Sequence, residues 1–401
     1  MRDVLTFILA GGKGERLDPL TRDRAKPAVP FGGIYRIVDF PLSNCVNSGL
    51  RRIFLLTQYK SFSLQRHILE GWNIYSNQLG EFIDVIPAQQ RISSDWYRGT
   101  ADAIYQNLNM IQEYNPKLVL ILAGDHVYKM NYSRMIEHHV ATGADMTVAC
   151  LAMPRADSVH FGVVEVDSQN LVIGFQEKPK VPKVIPSQPD SIFGSMGIYL
   201  FNVDALRREL DIDTRRTDSE HDFGKNIIPQ MVNQKRRVFA YNFAKENAFS
   251  PYWRDIGTRD SYYQANMELL GSNPKFNIYD KTWPLRTHHH HYPPIRTYTT
   301  GQSPGSIINS LVASGCVLES AYIDHSVVSN NVTVQDGAVV SNSVIMDGVT
   351  IGRGAQIQNA IIDKDVIIPA GAKIGFDAVE DQAKFILTTS GIVIVAKKTS
   401  L

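Results

Sequence analysis

The chain has 401 residues, 44% of them hydrophobic and 20% charged, with a formal net charge of +1, a globular composition long enough for two domains with cores of their own. No long basic run suggests general nucleic-acid binding, and no apolar stretch approaches the length that crosses a membrane. The start Met1-Arg2-Asp3-Val4 lacks the apolar core of a signal peptide, and three cysteines without metal-ligand spacing (Cys45, Cys150 and Cys316) fit reduced thiols, so a cytoplasmic location is expected.

The first two-thirds alternates short apolar runs with helical patterns, as an α/β domain around a mainly parallel sheet does. Residues 4–9 read as a buried strand that stops at glycine. Gly11, Gly12 and Gly14 then allow a tight turn and close approach to a ligand, leaving N–H groups free to face phosphate oxygens. Arg16 and Lys26 add positive charge to the same loop, and the arginine fork suits phosphate. A plain strand-to-loop turn would account for the glycines but not for the two cations. The common phosphate-loop patterns do not fit: Leu17 stands where a third glycine would be, and no Gly-Lys-Ser/Thr follows.

Further buried strands are expected at 53–57 and 119–122, with amphipathic helices at 61–69 and 102–114. Ligands of such sheets sit at the carboxyl ends of the strands, where the next motifs fall. Gln89 can offer an amide to a base edge. Gly99-Thr100 opens a helix whose free N–H groups form a local anion or polar-group site; the alternative is that Thr100 merely caps the helix and Tyr97 merely packs. The run Leu118-Val119-Leu120-Ile121-Leu122-Ala123-Gly124-Asp125-His126 reads as a buried strand ending in glycine and aspartate, where the carboxylate is either a Mg²⁺ ligand or an ordinary turn former.

Residues 161–167 and 172–179 read as a hairpin turned by Asp167-Ser168-Gln169-Asn170. At its end Glu177 could accept hydrogen bonds from sugar hydroxyls and Lys178 could hold a sugar phosphate, or the two could be a solvated ion pair. His221-Asp222-Phe223-Gly224-Lys225-Asn226 starts a helix with the apolar face Ile227, Ile228 and Met231, and reads mainly as structure. Residues 186–190 read as a surface loop. From 273 to 304 periodicity stops, as in an interdomain linker. This stretch holds His288-His289-His290-His291, but adjacent residues cannot all face one ion and no acidic residue flanks them, which argues against a metal site. Beyond it Leu311, Val317 and Ile323 are six apart, as are Val328, Val334 and Val340, then Ile345, Ile351 and Ile357, then Ile362, Ile368 and Ile374, each triplet starting seventeen residues after the last. That spacing is the signature of a hexapeptide parallel β-helix, with Gly315, Asn330, Asp347, Gly352 and Gly371 at its corners.

The run Ile8-Leu9-Ala10-Gly11-Gly12-Lys13-Gly14-Glu15-Arg16-Leu17, followed by Lys26-Pro27-Ala28-Val29-Pro30, resembles the signature of sugar-1-phosphate nucleotidyltransferases. Arg24-Ala25-Lys26-Pro27-Ala28-Val29 and Asp39-Phe40-Pro41-Leu42-Ser43-Asn44-Cys45 narrow the resemblance to the bacterial glucose-1-phosphate adenylyltransferases (ADP-glucose pyrophosphorylases), and matches run almost to the C-terminus. The fold so implied is α/β: a Rossmann-like mixed-sheet nucleotidyltransferase domain (1–272), a linker (273–304), and a left-handed parallel β-helix (305–401) for regulation and oligomerisation.

The resemblance implies transfer of the adenylyl group of ATP to glucose 1-phosphate, giving ADP-glucose and pyrophosphate for glycogen synthesis. Asp125 and Asp255 would hold Mg²⁺, with Arg16 and Lys26 also catalytic. Gly11, Gly12, Gly14, Arg16, Lys26, Gln89 and Gly99 would bind the nucleotide, and Tyr97, Gly162, Glu177, Lys178 and Ser195 the glucose 1-phosphate. Arg24 and Arg36 match an effector-phosphate pocket completed around 391–395, and Gln58 and Trp96 match communication loops. Small phosphorylated effectors and a homotetramer are implied, with neither nucleic acid nor membrane as partner. One departure stands out: Asp23 occupies the place of an activator-binding lysine of the enteric enzymes, so a sugar bisphosphate should activate weakly. The rival readings are a related pyrophosphorylase using UTP, dTTP or GTP, a non-catalytic regulatory subunit, and a β-helix acyltransferase. Every motif residue is present, which counts against the second, and only His325 lies in the repeat, which counts against the third.

Overall fold

The computed structural model describes residues 2–89, 96–245, 251–300 and 304–399. β1 (Val4–Leu9) is apolar but for Thr6 and is covered on both edges by neighbouring strands. The short pair β2 (Pro30–Phe31) and β3 (Tyr35–Arg36) leads into α1 (Asp39–Asn47), β4 (Arg52–Thr57), α2 (Phe62–Gly71) and β5 (Phe82–Pro87). Helices α3 (Thr100–Tyr105) and α4 (Leu108–Tyr114) precede β6 (Leu118–Ala123), β7 (His126–Tyr128) and α5 (Tyr132–Thr142). Next come β8 (Met146–Pro154), the hairpin β9 (Gly162–Val166) and β10 (Val172–Glu177), the long β11 (Ser191–Asn202), and α6 (Val203–Asp213). α7 (Ile228–Asn233), β12 (Val238–Asn242), β13 (Trp253–Asp255) and α8 (Arg259–Met267) close the N-terminal unit.

One nine-stranded mixed sheet runs β10-β9-β11-β6-β1-β4-β5, with β8 and β12 continuing beyond β11. β1, β4, β5 and β6 are parallel, and β11 runs antiparallel to β6. Leu9 faces Leu56 on one side and Ala123 on the other. The chains leaving β1, β4 and β6 therefore emerge side by side at one sheet edge: Ala10 N–H donates to Leu56 O (2.8 Å) and Gly124 N–H to Leu9 O (3.0 Å). This register makes the glycine loop and Asp125 neighbours.

The helix expected over 102–114 is two helices. Asn107 leaves the helical path while its Nδ2 donates to Ala103 O (2.8 Å) and to the Tyr97 hydroxyl (2.9 Å), a side chain competing with the backbone ladder. The hairpin turn forms as expected: Asp167 Oδ1 accepts from Gln169 and Leu171 N–H at 2.8 and 2.9 Å, and Asn170 takes φ 62°.

Residues 273–295 contain no helix or strand but are tied down. Trp283 Nε1 donates to Asn44 Oδ1 (2.9 Å), Arg286 N–H to Ser43 Oγ (2.9 Å) and Thr287 Oγ1 to Asp39 Oδ2 (2.7 Å). The segment is a strap across α1 rather than a free linker. Its end already belongs to the next unit, since Arg296–Tyr298 pairs in parallel with Val317–Glu319.

The C-terminal unit is a parallel β-helix of three sheets. Ile323, Val340, Ile357 and Ile374 stack in one column, Val334, Ile351 and Ile368 in a second, Val328, Ile345 and Ile362 in a third. The first coil departs from the expected triplet: Val312 and Leu318, not Leu311 and Val317, align with Val328 and Val334. Leu311 instead joins a core shared by the two units, in which Val344, Met346, Ile361 and Ile394 meet Leu17, Phe31, Phe40 and Tyr262. No helix among the described residues is long and apolar enough to cross a membrane.

Candidate active site

The glycine loop needs glycine at one position above all. Gly14 has φ 68°, and a Cβ there would meet Thr21 Cγ2 at 3.0 Å and Lys26 Cβ at 3.2 Å. Thr21 Oγ1 donates to Gly14 O at 2.9 Å, bracing the loop against the turn that carries Lys26. Lys26 is buried, and its Nζ lies 2.7 Å from Asp125 Oδ2 and 3.0 Å from Asp255 Oδ1. Burial opposes its charge, but the two carboxylates outweigh burial and hold its pKa above the ordinary lysine value. Burial likewise opposes ionisation of Asp125, and Lys26 and His126 overcome it, so the carboxyl sits below the usual range.

Asp255 reaches this point through a two-strand ladder. β13 pairs antiparallel with β7, setting Asp255 directly opposite His126. His126 Nε2 is 3.5 Å from Asp125 Oδ1 and 3.9 Å from Asp255 Oδ1, and its ring lies edge-on against Trp253 at 4.9 Å. One ligand atom from each of Asp125, His126 and Asp255 falls within 4.8 Å of the others. His126 Nδ1 is buried with no hydrogen-bond partner among the described residues. Two carboxylates beside an imidazole form a donor set that fits a divalent cation. The sequence motif gives His126 no role of its own, and its place directly after Asp125 is the signal that could have found it.

A cavity of about 530 Å³ opens beside this cluster, lined by Gly11, Gly12, Gln58, Tyr97, Gly99, Asp125, Glu177 and Lys178 among others. Gly99 is required by a close approach: a Cβ there would stand 2.3 Å from the His221 carbonyl oxygen. That carbonyl accepts the N–H groups of Ala101 (2.8 Å) and Asp102 (3.2 Å). The start of α3 is thus not the open N–H site expected from Gly99-Thr100. Nor does Thr100 cap α3: its hydroxyl donates to Asp222 Oδ2 (2.9 Å) and accepts from Phe223 N–H (3.0 Å). Asp222 also accepts from Gly224 and Lys225 N–H and lines the cavity, so the 221–226 motif is part of the site wall as well as structure.

Glu177 and Lys178 pair at 3.3 Å within the cavity wall, Lys178 with φ 47°. Burial and the neighbouring Asp222 push the Glu177 carboxyl upward despite the Lys178 ammonium. Gly162 and Gly224 make room for it, since Cβ atoms there would stand 3.1 and 2.6 Å from Glu177 Oε2. Gly162 and Ser195 lie behind the lining rather than on it. Ser195 is buried and supports Tyr199, which does face the cavity. Tyr97 lines it half-buried, its hydroxyl accepting from Asn107. Gln89 is exposed beyond β5 and outside the lining; Gln90 and Arg91 of its motif lie outside the described residues. Arg16 is also exposed, with its Nη2 running alongside Gly257 two residues past Asp255, at the rim of the site rather than within it.

The expected effector and communication residues occupy two further places. Gln58 lines the cavity, and the exposed Trp96 stacks on Tyr59 at 6.2 Å and 12°, with Tyr59 also in the wall. Arg24 is buried between the units, its Nη2 2.8 and 3.1 Å from the two oxygens of Asp363. Arg36 donates to Ser63 O and Oγ at 2.8 Å, and burial lowers its pKa. Lys364 pairs with Asp347 nearby, and burial together with Arg36 and Arg24 lowers its pKa too.

The comparison with known proteins agrees with this arrangement. The nucleotidyl transferase family profile matches residues 5–272, and a GlmU-like C-terminal hexapeptide profile matches 293–395. A glucose-1-phosphate adenylyltransferase of Koribacter versatilis is 49% identical over 100% of this chain and 97% of its own length. Glucose-1-phosphate adenylyltransferase 2 of Vibrio cholerae is 46% identical over 98% of both chains, and the enzyme of Methylococcus capsulatus is 48% identical over 98% of this chain and 93% of its own. A mixed-sheet nucleotidyl transferase unit followed by a hexapeptide β-helix, similar end to end to these proteins, belongs to the glucose-1-phosphate adenylyltransferase family of nucleotidyl transferases.

Proposed function

We propose that this chain transfers the adenylyl group of ATP to α-D-glucose 1-phosphate, releasing pyrophosphate and giving the ADP-glucose used in glycogen synthesis. The observation that carries the reading is the meeting of Asp125, Asp255 and Lys26 beside the glycine loop, at the mouth of a cavity that also holds Glu177 and Lys178. The attacking phosphate oxygen is already anionic, so no general base is needed; catalysis is positioning and charge neutralisation. The backbone at Gly11, Gly12 and Gly14 cradles the nucleotide's phosphates. Lys26 and the rim guanidinium of Arg16 offset charge on the departing pyrophosphate. Lys178 holds the incoming phosphate and Glu177 accepts from sugar hydroxyls, with Tyr97 beside them and Gly162 and Ser195 supporting that wall. Asp125 and Asp255 would hold Mg²⁺, which when bound supplies charge neutralisation between nucleotide and sugar phosphate.

The same reading includes small phosphorylated effectors near Arg24 and Arg36, coupling through Gln58 and Trp96, a homotetramer and a cytoplasmic location. Adenine selection, with Gln89 beside the base, rests on the relatives' names. Pyrophosphate release measured with ATP, UTP, dTTP and GTP at equal Mg²⁺ tests it: ATP should be preferred, and equal turnover on UTP would overturn the base assignment. Asp125→Ala should lower kcat by about two to three orders of magnitude with the fold intact. Near-normal turnover would remove Asp125 from the site.

A further inference from the structure

The histidine run at 288–291 has no part in the chemistry above, and the strap splits it into two pairs. His289, His290 and His291 are exposed, whereas His288 is half-buried. His288 is packed over the end of α2, its own Cβ 2.6 Å from where a Cβ on Gly71 would stand. His288 Nε2 lies 3.2 Å from His290 Nδ1, with the rings at 83° and their centroids 4.4 Å apart. Glu70, at the same end of α2, has a carboxylate oxygen 3.8 Å from that Nε2. Consecutive histidines cannot all face one ion, but in extended chain alternate residues share a side. The acidic partner missing from the flanking sequence comes from α2.

The spacing of the two histidine nitrogens is that of ligands. Glu70 has to turn inward to join them, since among the described residues only Asp125, His126 and Asp255 already bring three ligand atoms within 4.8 Å of one another. Two imidazole nitrogens on a tetrahedral Zn²⁺ at 2.0–2.1 Å stand roughly 3.3 Å apart, close to the separation here. The two nitrogens lie within hydrogen-bond distance of each other, and a metal ion would take the place of that contact. Glu70 is half exposed and only loosely engaged by Arg66 at 3.9 Å, so its carboxylate can turn inward. The pair is ordered from both ends, by Thr287 on Asp39 and by Pro293 O, which accepts from Gly315 N–H at 2.7 Å. His67, edge-on to His288, is committed to Asp39 at 2.6 Å and is no ligand.

We propose that His288 and His290, completed by Glu70, bind a borderline divalent ion of the Zn²⁺ type and clip the strap to α2 at the junction of the two units. Equilibrium dialysis of the full chain against Zn²⁺ tests this on wild type, His288→Ala/His290→Ala, His289→Ala/His291→Ala and Glu70→Gln. Ions held at Asp125 and Asp255 count equally in all four. One tight equivalent should be present in wild type and in the His289/His291 variant, lost in the His288/His290 variant, and weakened about tenfold or more in Glu70→Gln. Zn²⁺ should raise Tm more in wild type than in the His288/His290 variant, while turnover with Mg²⁺ stays equal and reports the fold. Equal loss from the two histidine variants, or no loss from His288→Ala/His290→Ala, would overturn the site; if that variant does not fold, unchanged affinity in Glu70→Gln does the same.

Discussion

At the scale of single residues, Lys26 has two claims on it. Its ammonium stands between Asp125 and Asp255, where a cation is wanted, and it also belongs to the turn that backs the phosphate loop. If the two carboxylates hold a divalent ion as proposed, the lysine competes with it in the absence of nucleotide, and phosphate oxygens would draw the lysine away and leave them open. Lys26→Met should therefore bind Mn²⁺ at least about tenfold more tightly than wild type in the absence of nucleotide, read by loss of the free-ion EPR signal. Unchanged or weaker binding would mean that lysine and ion do not compete. The sequence carried the charges of this site but not their encounter. Asp125 was legible as a strand-end carboxylate and Asp255 only through the family resemblance, whereas the β7–β13 ladder joining them is a contact between distant segments. His126 and Asp222 were visible in their motifs but lacked a role, because each acquires one only from groups contributed by another part of the chain.

At the scale of elements, local patterns held where one neighbour decided the outcome and failed where several did. The buried strands fall within a residue of expectation, since a continuous apolar run fits only the middle of a sheet. The start of α3 was misread because its N–H groups are taken by the His221 carbonyl, which no local pattern announces. In the β-helix the first coil slips by one at two of its three positions, and Leu311-Val312 and Val317-Leu318 offer apolar residues on either register. The neighbouring unit, which takes Leu311 into its own core, decides between them.

β13 shows how an element's seat bears on chemistry. Arg254, next to Asp255, pairs with Glu268, which also accepts from Tyr252 Oη (2.7 Å) and Lys275 Nζ (2.8 Å). Burial raises the Glu268 pKa, but Arg254, Lys275 and Tyr252 more than reverse this, to about 2. A carboxyl whose folded pKa is depressed contributes stability that is complete above its unfolded value and is lost as pH falls through the folded one. The contribution of this clamp should fade between about pH 4.5 and pH 2. Glu268→Gln should lower stability at pH 7 by about 1–3 kcal/mol and shrink the wild-type advantage toward the acid end of that window. A variant whose deficit is the same at pH 7 and pH 3 in urea unfolding would show that Glu268 does not hold β13 in place.

At the scale of the whole molecule, the two units are joined by apolar packing with one buried charge pair set into it. Asp363 is 1% exposed and Arg24 only 5%, so removing the carboxylate leaves a guanidinium with no water to turn to. Asp363→Ala should cost about 3–5 kcal/mol, more than an exposed pair could. The loss should appear in the transition that separates the β-helix from the nucleotidyl transferase unit. A loss under 1 kcal/mol would mean that solvent reaches Arg24 once its partner is gone.

Asp23 is exposed and precedes the buried Arg24 in sequence, and the charges of Arg24, Arg36 and Lys364 lie close together. If a phosphorylated effector binds at that cluster as proposed, the Asp23 carboxylate repels it. At about 4 Å in water one unit charge is worth about 1 kcal/mol, so exchanging a negative for a positive charge shifts binding of a doubly charged phosphate by a few kcal/mol before screening. Asp23→Lys should tighten activation by fructose 1,6-bisphosphate about tenfold or more, and added salt should narrow the gap between variant and wild type. Wild-type activation already as strong as that of the variant, or a gap indifferent to salt, would show that charge at position 23 does not govern entry to the junction.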